Sequence, residues 1–129
     1  MNPLILVYRV ECPTCTNGPY NCICLQWQHK KSEFESRHKT DFFLSARPGM
    51  GIDFPLGRNR RMDDYYSGFK NRGQMLQWFE GTEFSLFRAN GFKLAVYIAK
   101  YWVEGYSKNQ IFCIRPNRWR MMELPVAGL

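Results

Sequence analysis

Histidine is scarce in this 129-residue chain, two residues in all, and acidic residues are few, 11 Asp and Glu against 18 Lys and Arg. The two histidines, His29 and His38, sit in a polar segment with Glu33, Glu35 and Asp41. They form no i, i+4 pair of the kind that grips a metal from one helix face, so the segment reads as a solvated charged surface. Long apolar runs are also missing. The longest purely aliphatic one is Leu4–Val7, far short of the roughly 18 residues that span a bilayer. The start, Met1-Asn2-Pro3, carries no basic side chain, so neither a signal peptide nor a membrane partner is expected and the protein is placed in the cytoplasm. No nucleophile-elbow pattern occurs, and no catalytic triad is assigned. Five cysteines, an odd number, argue against a disulfide framework.

What is present is a surplus of apolar and basic side chains. Hydrophobic residues make up 45% and aromatics 16% of the chain, with a formal net charge of +7. That is too much apolar material for a disordered tail, and the length fits a single domain, residues 1–129, at roughly 100–200 residues per domain. The positive charge points to nucleic acid, an anionic membrane or an acidic protein surface.

The residue order predicts an α+β fold with a mostly antiparallel sheet and one or two short helices packed on one face. Leu4–Val10 is β-branched and aromatic, with Leu4, Leu6, Tyr8 and Val10 on one face and Ile5, Val7 and Arg9 on the other. Asn17-Gly18-Pro19 reads as a turn and Cys22–Trp27 as a short returning strand, a candidate hairpin. Residues 28–64 read as a loop-rich insertion around Phe42-Phe43-Leu44. From Asn71, Met75, Leu76 and Phe79 recur at helical spacing and Trp78 widens the stripe; Gly81 stops it. Thr82 is positioned to cap a second helix carrying Phe84, Leu86 and Phe87, which ends at Asn90-Gly91. Phe92–Ala99 alternates as a strand, and Gln110–Ile114 and Arg118–Leu124 read as further strands about a Pro116-Asn117 turn.

Cys12, Cys15, Cys22 and Cys24 are spaced C-x2-C-x6-C-x-C. A C-x-x-C turn brings two thiolates to one tetrahedral ion, so the four are candidate ligands of a structural zinc. In C-x-C, adjacent ligands point to opposite faces of a regular strand, so both bind one ion only where the backbone is irregular. Reduced free thiols rank first on this pattern, structural zinc second and a redox pair last.

Basic residues gather in two places. Arg58, Arg60 and Arg61 precede Tyr65 and Tyr66, and Arg118 and Arg120 flank Trp119. Arg neutralises phosphates while Tyr or Trp stacks on bases. The same residue types anchor protein interfaces. A solvated basic rim over core aromatics is the plainer alternative.

Several segments resemble a family of small bacteriophage accessory proteins: Tyr8-Arg9-Val10-Glu11, Gly18-Pro19-Tyr20, Gly68-Phe69, Gln74-Met75-Leu76-Gln77-Trp78-Phe79, Gly91-Phe92, Tyr97, Gly105 and Gln110-Ile111-Phe112. The match is weak across 28–64, and the cysteine cluster is not expected to belong to the shared pattern. The resemblance implies phage origin and names no chemistry. More faintly, Arg9 on a first strand and Gln110 on a late one resemble the scaffold of ADP-ribosyltransferases. That would give Arg9 and Gln110 a nucleotide-binding role, in a catalytically defective protein, because Gln110 cannot supply the negative charge an oxocarbenium-like centre needs.

Together these features predict a phage accessory protein that acts by binding in the cytoplasm of the infected bacterial host. The expected partner is a host enzyme or anti-phage defence complex, inhibited in the manner of an anti-CRISPR protein. The expected contacts are Arg58, Arg60, Arg61, Tyr65, Tyr66, Arg118, Trp119 and Arg120. Nucleic-acid binding is the alternative.

Overall fold

The structure, a computed structural model, describes residues 4–19, 22–25, 27–28, 53–55, 65–79 and 81–114, together with the backbone of 118–125. It is an α+β fold in which the described strands pair antiparallel throughout. Strands β1 (Ile5–Glu11), β3 (Lys93–Ala99) and β6 (Arg118–Pro125) form one sheet in the order β1-β3-β6. Strands β2 (Tyr65–Gly68), β5 (Ile111–Ile114) and β4 (Trp102–Glu104) form a second, in the order β2-β5-β4. Two backbone hydrogen bonds between Tyr8 and Phe69, 2.8 and 2.9 Å, join β1 to the end of β2.

Helices α1 (Arg72–Trp78) and α2 (Gly81–Ala89) lie between β2 and β3 in the chain. Asn71 starts α1, its side chain accepting from the Gln74 amide at 2.7 Å, which satisfies one of the first-turn donors that have no intrahelical partner. Gln74 is buried and bonded at both ends of its amide: Oε1 accepts from the Lys70 amide and Nε2 donates to the Lys108 carbonyl, both at 2.8 Å. The end of α2 is a Schellman motif. Gly91 takes a left-handed φ of 78°, the Phe92 amide donates back to the Phe87 carbonyl at 2.9 Å and the Gly91 amide to Arg88 at 3.2 Å. The Phe92 and Phe87 rings stack with centroids 5.7 Å apart, the apolar contact that accompanies this motif.

Two buried clusters flank the β1–β3 pair. On one face Val10, Leu94 and Val96 meet Met75, Trp78, Phe84 and Phe87 of the helices. On the other, Val7, Ala95, Tyr97 and Ala99 meet Ile111 and Cys113 of β5. Strand β3 is therefore buried on both faces, as the near-continuous apolar run Leu94–Ala99 requires. Each large apolar side chain fully buried there contributes about 1.5–3 kcal/mol.

One charged group is sealed into the second face. Glu11 is 0% exposed and accepts from Arg9 Nε at 3.0 Å, while the Tyr97 hydroxyl lies 2.8 Å from both its oxygens. The Arg9 guanidinium also donates to the Ser67 carbonyl at 2.7 Å and lies 4.4 Å from the Tyr66 ring centroid. Tyr97 pairs across the ladder with Val7, and Ala95 with Arg9, so the Tyr97 ring reaches Glu11 past the small side chain of Ala95.

Three expectations need correcting. Cys22–Trp27 is not a strand: residues 22–24 are irregular and a helical turn begins at Leu25. Thr82 does not cap α2, which starts one residue earlier at Gly81. Leu76 is half exposed, and Met75, Trp78 and Phe79 supply the buried stripe instead. Strands β2 and β4 are additions that the residue pattern did not predict. The Pro116-Asn117 turn, Phe42-Phe43-Leu44 and the two histidines lie outside the described residues; of 28–64 only Gln28 and 53–55 are described.

Three substitutions test this packing. A Cβ added at Gly68 would stand 2.5 Å from Val7 Cγ1 and 3.2 Å from the Tyr8 carbonyl, so Gly68→Ala is expected to destabilise by about 1–3 kcal/mol in urea unfolding. Arg9→Leu leaves Glu11 buried without its cation and is expected to lose about 3–5 kcal/mol. Tyr97→Phe, which removes only a hydroxyl, is expected to lose about 1–3 kcal/mol in the same measurement.

Candidate metal centre

Strand β1 ends at Glu11, and the next residue begins a tight reversal. The Cys12 amide donates to the Asn17 carbonyl at 2.8 Å and the Thr16 amide to the Cys12 carbonyl at 2.9 Å. Thr16 carries the left-handed φ of 60° that closes the turn, a conformation uncommon for a β-branched residue. A first reversal therefore precedes Asn17-Gly18-Pro19, and a second turn starts at Gly18. The Cys22 amide then donates to the Gly18 carbonyl at 3.0 Å, which brings the second cysteine pair back onto the first.

The loop is anchored to the core from behind. Trp27 is 1% exposed, its indole N–H donating to the Pro19 carbonyl at 2.8 Å, and its ring lies 4.7 Å from Phe92 and 6.0 Å from Phe87. Cys12 and Cys22 belong to the same buried cluster, and Cys15 and Cys24 pack at its edge. Between and after the second pair, Ile23 and Leu25 point outward, 71% and 74% exposed.

The four sulfur atoms converge. All Sγ atoms lie within 4.8 Å of one another; Cys12–Cys24 and Cys15–Cys22 are each 3.6 Å apart. None of the four is in a disulfide, and bonded sulfurs would stand about 2.05 Å apart. Burial pushes the Cys12 thiol up, but the amides of Cys15 and Thr14 and the neighbouring sulfurs of Cys24 and Cys22 outweigh it, bringing it from 9.0 down to about 7. Burial pushes the Cys22 thiol well up despite an amide hydrogen bond from Cys24, and Cys15 and Cys12 add to the rise. Cys24 is raised as well, chiefly through its contact with Cys12. The arrangement is compatible with a structural metal site. The irregular backbone at 22–24 is what brings Cys22 and Cys24 to one point, the condition that their one-residue spacing imposes. The fifth cysteine, Cys113, is buried in the other cluster.

The other expected site residues are distributed differently. Arg58, Arg60 and Arg61 lie outside the described residues. Tyr65 and Tyr66 are half-buried on β2: Tyr65 meets Phe54 edge-on at 4.9 Å, and Tyr66 lies under the Arg9 guanidinium. Arg118, Trp119 and Arg120 occupy β6 opposite Ala99, Ile98 and Tyr97, in the other sheet from Tyr65 and Tyr66. Arg9 is held by Glu11 and Ser67, as described above. Gln110 is buried and donates to Asp53 Oδ2 at 3.0 Å. Asp53 itself is 1% exposed and accepts from the Ser107 amide and hydroxyl at 2.6 and 2.9 Å. That cluster pins residues 53–55 to the β4–β5 connection.

The residue pattern marks Glu11 and Tyr97 only as part of the family resemblance, with no role given, and does not mark Asp53. For Glu11 a signal existed: Arg9 and Glu11 are two apart on a strand and so share a face.

Among the described residues no helix is long and apolar enough to cross a membrane. No curated protein and no solved structure shows significant similarity to the chain. A family model described as the bacteriophage T4 Y00F protein matches residues 1–124, nearly the whole sequence. The chain belongs to this family of bacteriophage proteins.

Proposed function

We propose that this phage protein is an accessory factor that acts by binding a host protein in the cytoplasm of the infected cell, as an inhibitor of an enzyme or defence complex. The observation that carries the reading is the cysteine loop. It turns Cys22 and Cys24 inward and leaves two large aliphatic side chains, Ile23 and Leu25, in water at 71% and 74% exposure. Single exposed apolar residues are ordinary, but two on a short loop tied to the core by Trp27 form a preorganised contact, and preorganisation lowers the entropic cost of binding. The formal charge of +7 favours an acidic partner surface and a fast encounter. In this reading Arg58, Arg60, Arg61, Tyr65, Tyr66, Arg118, Trp119 and Arg120 are contacts outside the loop.

A nucleotide-binding role through Arg9 and Gln110 fits less well. The Arg9 guanidinium already serves Glu11, the Ser67 carbonyl and the Tyr66 ring, and Gln110 serves Asp53. A ligand at either would have to displace buried partners, each a loss of about 1–3 kcal/mol.

Capture from bacterial lysate with a tagged chain, in the presence of nuclease, tests the proposal. The expected result is one host protein retained by the native chain. Its retention falls at least about tenfold with Ile23→Ser and Leu25→Ser together, a loss of roughly 1.4 kcal/mol or more, while the melting temperature is unchanged. Arg60→Glu with Arg61→Glu is expected to weaken the same capture. Retention that disappears with nuclease would move nucleic acid to first place, and retention untouched by the loop variant would exclude the loop as the contact.

A further inference from the structure

We propose that Cys12, Cys15, Cys22 and Cys24 bind one zinc ion as a closed tetrathiolate site. Zinc sits about 2.3 Å from each thiolate in a tetrahedron, which sets sulfur–sulfur edges of about 3.8 Å. Two edges here are 3.6 Å and the rest stay within 4.8 Å. An ion would therefore draw the sulfurs together by no more than about 1 Å along any edge.

The placement of the cysteines carries the case: four Sγ atoms from two separate chain segments meet within 4.8 Å. Free thiols that merely fill the core explain the burial of Cys12 and Cys22. They do not explain why the half-buried Cys15 and Cys24 join them around one point. Soft all-sulfur donor sets select zinc, copper(I) or iron, and four protein ligands leave no open position, so the ion is structural.

The ion would tie β1's end to the segment that carries Ile23 and Leu25. This inference goes beyond the binding role and stands without it, because metal content is read on the purified chain with no partner present.

The test is elemental analysis of the full chain, purified under reducing conditions with no added metal or chelator, alongside a count of free thiols. About one zinc per chain is expected, together with a fall in melting temperature on chelation. Cys24→Ser, at a half-buried position, is expected to lose the zinc while its circular dichroism keeps the helix and strand content. Cobalt(II) added to metal-free native protein is expected to give the intense charge-transfer and visible bands of a tetrahedral thiolate site, which reads the ligand set whatever the variant does. Substoichiometric zinc in protein with intact thiols and no such cobalt spectrum overturns the proposal. So does stoichiometric iron, or zinc retained in both Cys15→Ser and Cys24→Ser, which would place the ion elsewhere.

Discussion

Strand β3 has no solvent face, and most of the fold follows from that. Leu94 and Val96 must be covered on one side and Ala95, Tyr97 and Ala99 on the other, so one antiparallel sheet cannot stand alone. Helices α1 and α2 with the cysteine loop cover the first side; the second sheet covers the other. Because side chains alternate with period two, a one-residue slip of β1 against β3 would send every core residue to the wrong cluster. The buried Arg9–Glu11–Tyr97 group adds a penalty to any such slip, since a displaced Glu11 carboxylate would meet apolar neighbours in place of Arg9 and the tyrosine hydroxyl.

The register has consequences at both ends of β1. At the start, Leu4 and Leu6 remain exposed while Ile5 and Val7 are drawn toward the second sheet. At the finish, Glu11 is fixed by its ion pair, so the position of Cys12 is set by charged groups one residue away. Trp27 fixes the other limb of the loop against Phe92 and Phe87. Phe87 and Phe92 are themselves held by the Schellman turn that joins α2 to β3. The cysteine loop is thus clamped between two features of the same strand pair, which is why four sulfurs separated by up to 12 positions in sequence meet within a few ångströms.

How much of this the residues disclose depends on how local the cause is. Strands β1, β3 and β5 have strong alternation or apolar runs of their own. The two helices have a periodic stripe and, after α2, a glycine stop, both short-range causes; the Asn71 cap of α1 is just as local, although the residue pattern points to a cap at Thr82. Strand β2, Tyr65–Gly68, is hidden because it follows the mixed-charge run Arg60-Arg61-Met62-Asp63-Asp64 and its two tyrosines look like surface anchors; their half-burial comes from Arg9 and Phe54, both remote in sequence. The returning strand expected at Cys22–Trp27 failed for a related reason. Alternating Ile23, Leu25 and Trp27 has strand periodicity, yet Trp27 must bury its ring on Phe92 and its N–H on Pro19, and a helical turn from Leu25 achieves both. The convergence of the sulfurs was legible as spacing. The irregular backbone that makes it real was not, because it depends on those same distant contacts.

That irregular segment also links the two properties proposed for the loop. In Cys22-Ile23-Cys24-Leu25 both sulfurs turn to one point, so the residues between and after them have only solvent to face. Outward aliphatic side chains are a geometric consequence of inward ligands. A loop held only by packing would relieve that exposure by folding Ile23 or Leu25 into the core at the expense of a cysteine, since burying either side chain is worth about 1.5–3 kcal/mol. Four metal–sulfur bonds would remove this option, because structural zinc binds with about 10–16 kcal/mol in small folded modules. The apolar pair would then stay at the surface in a fixed orientation, where an interface residue is of use to a binding protein.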